Sequence, residues 1–294
     1  MIVITAPTGN IGRKVLERIV AGSKPVRVIA RNPDQIPAML RNKVEVVAGS
    51  HGDAETVSRA FEGADSVFWL PPGDMKAESA MAAYVDFSRA GCEAMAAHSV
   101  KRVVGISALG RGWPRAAGHV TATLALDDMI AETGVHYRAL ACGSLMENLL
   151  RQIDGIAANG VFYWPSPADL PVTAVATRDV AAVASNLLLD ASWTGVDAIP
   201  MMGPEDITFA EMAAVMSETL ARPIRFQEMS MREMHDMTLA HGASEGMAQA
   251  MIEMLTAKNE GLDRRVRRPE PNPAPTDFRT WCLEVLAPAV SARQ

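Results

Sequence analysis

The sequence predicts an α/β protein: a doubly wound parallel sheet followed by a smaller α-rich C-terminal lobe. Three observations carry this. Short β-branched runs alternate with helix-like stretches through the first half, the pattern of a parallel sheet covered on both faces. The first run ends directly in a turn, Thr5-Ala6-Pro7-Thr8-Gly9-Asn10-Ile11-Gly12, that opens a helix. After about Gly143 the rhythm breaks into proline-punctuated chain and methionine-rich helices.

Strands are expected at Ile2–Thr5, Val26–Ala30, Val44–Ala48, Ser66–Leu70, Arg102–Ile106 and His136–Ala141. Helices are expected between them at Ile11–Ala21, Pro33–Leu40, Asp53–Phe61, Lys76–His98 and His119–Glu132. Right-handed crossovers then force helices onto both faces. Beyond residue 150 the reading gives irregular chain from Gly160 to Pro171, a helix at Arg178–Asp190 and a short strand at Ala198–Met202. Thr208 with Glu211 three residues on is a capping box opening a helix to Ala221. A strand at Ile224–Gln227, helices between Ser230 and Asn259, a basic proline-rich strap at Arg264–Pro275 and a closing helix at Asp277–Leu286 complete the chain. The division is therefore a sheet domain over 1–150 and a lobe over 151–294, with strands of the lobe free to return to the main sheet.

The net charge of −6 and a pI near 5.6 argue against a nucleic-acid binder, whose footprint is basic. No apolar run has the roughly 18–20 residues of a membrane span. Met1–Thr5 lacks a basic n-region and reads as strand, not signal peptide. Cys92, Cys142 and Cys282 are odd in number and widely spaced, which suits buried thiols in a reducing cytoplasm and neither a disulfide frame nor a metal site.

A strand, a glycine turn and a helix start in that order hold a dinucleotide pyrophosphate: glycine lets the backbone approach, and the helix N-terminus adds partial positive charge. Thr8, Gly9, Asn10, Ile11 and Gly12 are the candidates. Ala6 stands where this turn commonly has glycine, and alanine tolerates a positive φ poorly. The second strand ends in Arg31, not an acid, with Arg13 as a second cation nearby. A cation there suits the 2′-phosphate, so NADP (NADPH) is expected, with NAD the alternative.

These features continue in Phe61-Glu62-Gly63-Ala64-Asp65-Ser66-Val67-Phe68, Val100–Val104 leading to Ser107, Met146-Glu147-Asn148, Thr177-Arg178-Asp179-Val180-Ala181 and Gly203–Thr208. On them the chain resembles the NmrA-like group of atypical short-chain dehydrogenases/reductases over nearly its whole length. The resemblance implies a Rossmann-type fold. It also implies cofactor contacts from Leu70, Pro71 and Pro72, from Ser107 near the nicotinamide ribose, and from Cys142 and Gly143 near the nicotinamide. It further implies a homodimer. Ser50 stands where relatives commonly have an aspartate after Gly49.

Short-chain dehydrogenases use Tyr-x-x-x-Lys to protonate substrate, and none of Tyr84, Tyr137 and Tyr163 has a lysine four residues later. His119 falls close to the position where isoflavone-reductase-like relatives carry a catalytic lysine; it and Ser107 are the catalytic candidates, against a reading of His119 as a mere helix-start residue. Asp127 and Asp128 read as a solvated face, His136 as structural, and His51 as a contact for the adenine edge. The methionines from Met229 to Met254 are either lobe packing or an adaptable wall for a flat substrate. Trp113, on a lid-like loop, with Met146, Phe162 and Trp164, is expected to bind a small aromatic substrate. Three functions fit: an NADPH-dependent reductase of quinone-like or other conjugated aromatic molecules, a non-catalytic NAD(P) redox-sensing regulator, and a non-redox, cyclase-like enzyme.

Overall fold

The computed structural model describes residues 1–293. In chain order the elements are β1 (Ile2–Ile4), α1 (Gly12–Ile19), β2 (Val26–Ala30), α2 (Ala38–Arg41), β3 (Glu45–Ala48), α3 (Ala54–Phe61), β4 (Ser66–Trp69), α4 (Phe87–Ala97), β5 (Arg102–Ala108), α5 (His119–Glu132) and β6 (His136–Cys142). There follow β7 (Ser144–Leu145), α6 (Ile153–Asn159), β8 (Val161–Trp164), β9 (Pro171–Val175), α7 (Thr177–Leu189), β10 (Val196–Met201), β11 (Asp206–Thr208), α8 (Phe209–Thr219), β12 (Arg225–Glu228), α9 (Met231–Ala240), α10 (Glu245–Asn259), α11 (Phe278–Trp281) and α12 (Ala287–Ser291).

Seven parallel strands form the main sheet in the order β10-β6-β5-β4-β1-β2-β3. The order reverses between β1 and β4, and in open α/β sheets ligands bind outside the strand ends at that switch point. The strands alternate their side chains between two cores. Ile2, Ile4, Val28, Phe68 and Val104 face α1 and α7, whereas Val3, Ile29, Val67, Trp69 and Val103 face α3, α4 and α5. Both faces are buried, which is why the strands read as unbroken apolar runs.

The chain crosses back after residue 150. α7 packs on α1 in the first core, and β10 pairs with β6 from Val196↔Tyr137 to Met201↔Cys142. The remaining lobe is more β-rich than expected. The Phe162-Tyr163-Trp164 stretch, expected to be irregular, is strand β8, paired in parallel with β12, and β11-β9-β7 form a third small sheet. The reason lies outside the segment: Phe162 is fully buried and packs at a tilt against Phe226 of β12 (5.3 Å between centroids), a partner over sixty residues away. The expected helix 76–98 is regular only from Ala82, with a π turn at Ala82–Asp86 feeding α4. The 33–40 helix is a 3-10 turn at Pro33–Gln35 and the short α2, since Pro37 interrupts it.

No helix among the described residues is long and apolar enough to cross a membrane. All three cysteines are buried and free.

Candidate functional site

The turn between β1 and α1 sits at one lip of the switch point. Ala6 adopts φ +49°, as its glycine-like position demands. Gly12 is needed for packing, because a Cβ there would stand 2.1 Å from the Ala6 carbonyl oxygen. Gly9 is different: a Cβ would meet only that oxygen, at 3.4 Å. The Gly9 amide is used within the turn, but the amides of Asn10, Ile11 and Gly12 donate to no protein acceptor among the described residues. α1 has neither a side-chain cap nor an acidic residue in its first turn. An uncapped N-terminus with free amides and no carboxylate is an anion site, so these residues fit a pyrophosphate.

The opposite lip is tied on by Thr5. Its hydroxyl donates to the Phe68 carbonyl (3.0 Å) and accepts from the Leu70 amide (2.9 Å), fastening β1 to the end of β4 where Leu70, Pro71 and Pro72 emerge. His51 braces the same place. It is buried between Trp69 and Phe87, with Nε2 3.0 Å from the Leu70 carbonyl oxygen. Burial lowers its pKa to about 4, the Leu70 hydrogen bond opposing and the charge of Arg31 assisting. His51 is therefore a neutral strut, not an exposed contact for a base. Arg31 is exposed at the end of β2 with no ion-pair partner among the described residues. Arg13 is engaged with Glu17 of its own helix at 3.3 Å. Of the two, Arg31 is the one without an ion-pair partner among the described residues.

At the end of β5, Ser107 is buried, and its hydroxyl donates to Asp127 Oδ2 at 2.5 Å. The Tyr137 hydroxyl donates to Asp127 Oδ1 at 2.6 Å. Gly105 makes room for this, since a Cβ would stand 2.3 Å from the Tyr137 hydroxyl. The expected solvated face is thus half wrong: Asp128 is exposed and pairs with Arg111 at 2.9 Å, while Asp127 is buried. Burial raises the Asp127 pKa, and the hydrogen bonds from Ser107 and Tyr137 oppose that. Opposite Ala108 in the β5–β6 pairing, Cys142 ends β6 with its thiol pushed up to about 12 by burial. Gly143 lies so close to Thr173 of β9 that a Cβ would stand 2.5 Å from its carbonyl oxygen.

His119 does not join Ser107. It is buried at the start of α5 beside Tyr84 (5.9 Å between ring centroids), and both ring nitrogens lack hydrogen-bond partners. α10 lies directly on this helix start, where a Cβ on Gly118 would come within 1.9 Å of the Ala250 carbonyl oxygen. Burial lowers the His119 pKa, and the Met247 backbone, near the ring though not in good hydrogen-bond geometry, opposes that.

The expected aromatic pocket is only partly assembled. One cleft of about 720 Å³, solvent at its mouth included, opens in the lobe just beyond the end of β6. It is lined by Met146 and Trp164 as expected, together with Ser144, Leu145, Phe209, Met212, Phe278 and the pair Lys258–Asp263. Phe162 lies behind it in the lobe core. Trp113 borders a separate depression against α10, with the guanidinium groups of Arg115 and Arg265 over its ring at 5.5 and 5.4 Å. None of the methionines from Met229 to Met254 lines the cleft; Met247 packs among Ala80, Ala83, Ala122 and Ala250.

The Met146-Glu147-Asn148 and Thr177-Arg178-Asp179 segments meet in space. Buried Glu147 accepts from the Thr177 amide (3.0 Å) and hydroxyl (2.5 Å), and Asp179 accepts from the Thr276 amide (2.9 Å) and hydroxyl (2.8 Å). These acids fix the cleft wall, which explains two motifs without assigning them chemistry. Sequence reasoning missed Asp127, Lys258 and Asp263. Only the proximity of Tyr137 to α5 could have hinted at the first, and the last two sit on elements whose packing had no local signal.

A doubly wound sheet with an anion-ready turn, a free arginine after β2 and a cleft beyond β6 defines a dinucleotide-binding protein. A family model for NAD(P)H-binding proteins matches residues 7–191, and the chain belongs to that family. Across 288 residues, 97% of each chain, it is 30% identical to the (4-alkanoyl-5-oxo-2,5-dihydrofuran-3-yl)methyl phosphate reductase of Streptomyces griseus. It is 26% identical to the NAD(P)H azoreductase of Xenophilus azovorans over 86% of each. An NADPH-dependent quinone oxidoreductase of Escherichia coli, solved with NADPH, superposes with a TM-score of 0.77 over 99% of both chains at 21% identity.

Proposed function

We propose that this protein is an NADPH-dependent reductase of a quinone-like or other conjugated, electron-poor small molecule. The observation that carries the reading is the apolar cleft beginning at Ser144, one residue beyond the Cys142-Gly143 end of β6. Bound NADPH would supply the reducing equivalents. The chain's part is to hold it at Gly9–Gly12 and Arg31 and to orient an apolar ring against it in a partly dehydrated cleft. The substrates that name these relatives support the class. A dihydrofuranone that carries a methyl phosphate, an azo compound and a quinone all present an electron-poor conjugated double bond. Such acceptors yield stabilised anions, which lowers the demand for the absent Tyr-x-x-x-Lys acid. Arg31 directs the cofactor preference to NADPH.

A regulator that senses NAD(P) also fits the lack of that pair and the burial of His119. Stopped-flow oxidation of NADPH against a panel of quinones, azo dyes and unsaturated lactones separates the two. Turnover with at least one class is expected; micromolar NADPH binding with no turnover on any acceptor would overturn the reductase reading.

A further inference from the structure

We propose that the Lys258–Asp263 pair is the polar recognition end of the cleft, selecting a neutral conjugated carbonyl compound that carries an N–H or O–H donor beside its carbonyl oxygen. The inference rests on reading this cleft as the substrate pocket and narrows what that pocket accepts.

Most polar side chains on the wall are spent among themselves. Ser166 Oγ donates to Asn259 Oδ1 (2.6 Å), Asn259 Nδ2 donates to the Pro165 carbonyl (2.8 Å), and Thr173 Oγ1 donates to Asp206 (2.9 Å). Ser144, Asn148 and the exposed Arg264 also line the cleft without side-chain partners, but among the shielded groups two capacities stay open, both on the Lys258–Asp263 pair. Lys258 Nζ has three N–H groups and gives one to Asp263 Oδ2 at 2.5 Å. Asp263 Oδ1 is buried and accepts from no protein donor. A buried acceptor left in that state is costly, and a ligand donor would relieve it. The pair is shielded, with side-chain exposures of 18% for Lys258 and 9% for Asp263.

Its position suits a reacting group. Lys258 and Asp263 share the cleft wall with Ser144, the residue that follows the Cys142-Gly143 end of β6. Asp263 also compensates the lysine charge, so the pair offers one donor side and one acceptor side without net charge. A carbonyl oxygen meets Lys258, and an adjacent donor meets Asp263 Oδ1. An anionic head would face the open carboxylate oxygen, and an apolar head would leave both capacities unmet. Leu145, Met146, Trp164, Phe209, Met212 and Phe278 provide the apolar wall for a flat body.

The test is calorimetric titration of the protein saturated with NADP⁺, which permits binding without turnover. Three probes share one ring system: 2-amino-1,4-naphthoquinone (neutral, donor beside carbonyl), 2-methyl-1,4-naphthoquinone (no donor) and 2-hydroxy-1,4-naphthoquinone (ionised at neutral pH). The amino compound should bind at least about tenfold tighter than the other two, as a hydrogen bond to a charged group implies. Lys258→Met should erase the preference. Asp263→Asn, leaving the ammonium uncompensated, should turn it towards the hydroxy anion, with unchanged NADP⁺ affinity certifying the fold of each variant. Equal wild-type affinities, or a preference that survives both substitutions, overturns the head-group assignment while leaving the cleft as a binding site. Failure of all three probes to bind overturns the pocket reading and this inference together.

Discussion

Ser107 and Asp127, twenty residues apart and on different elements, share a buried hydrogen bond of 2.5 Å that fixes the last polar side chain of β5. Tyr137 completes the arrangement from β6. A carboxyl whose pKa is raised in the folded state favours folding while protonated. That contribution is fully present below its ordinary value of 3.8 and is lost as pH rises through the raised value. Asparagine imitates the protonated acid and does not titrate. The melting temperature of the wild type minus that of Asp127→Asn should therefore fall as pH rises from about 4 towards neutrality. A difference that grows with pH would show that the hydrogen bonds from Ser107 and Tyr137 outweigh burial.

Gly9 and Gly12 should separate binding from folding. Gly12→Ala places a methyl against backbone and should cost about 1–3 kcal/mol or more of stability, read from thermal melts without cofactor. Gly9→Ala meets only ordinary contact, so it should melt like the wild type yet bind NADPH at least about tenfold more weakly, because its methyl occupies the approach to the pyrophosphate. A Gly9→Ala protein with unchanged NADPH affinity would remove the turn from the cofactor site.

Ala6→Gly should raise the melting temperature slightly. The left-handed conformation at φ +49° costs alanine roughly 1–2 kcal/mol, partly offset by the greater freedom of glycine in the unfolded chain. A clear drop in melting temperature would mean that the Ala6 methyl contributes packing that outweighs its backbone strain.

Arg31 is exposed and unpaired, so Arg31→Asp should leave the melting temperature unchanged. Its effect should appear in ligand choice. NADPH affinity should fall by about tenfold or more, the magnitude of a charge-assisted contact, while NADH affinity holds or rises. Equal losses for both cofactors, measured by fluorescence titration, would place the 2′-phosphate elsewhere.

His119 has two buried ring nitrogens without partners. Replacing it with leucine should stabilise the protein by about 1 kcal/mol by removing an unsatisfied polar group, and should leave turnover intact. A loss of turnover greater than about tenfold with NADPH binding preserved would restore His119 to the chemistry.

What the sequence determined by itself was local and periodic. The β1–α1 turn, the helices on both sheet faces that follow from right-handed crossovers, the capping box at Thr208 and Glu211, and Arg31 at the end of β2 all depend on neighbours within a few residues or on a general rule of chain handedness. Tertiary structure decided everything that needed a distant partner. Asp127 looked solvated because its helix register gave no hint that Tyr137 and the gap at Gly105 would bury its carboxylate. His119 looked available because the residues that cover it come from α10, more than a hundred positions later. The cleft is shaped by the same kind of contact: Lys258 and Asp263 reach a wall begun at Ser144. Side-chain solvation is set by the whole fold, and no pattern within one element encodes it.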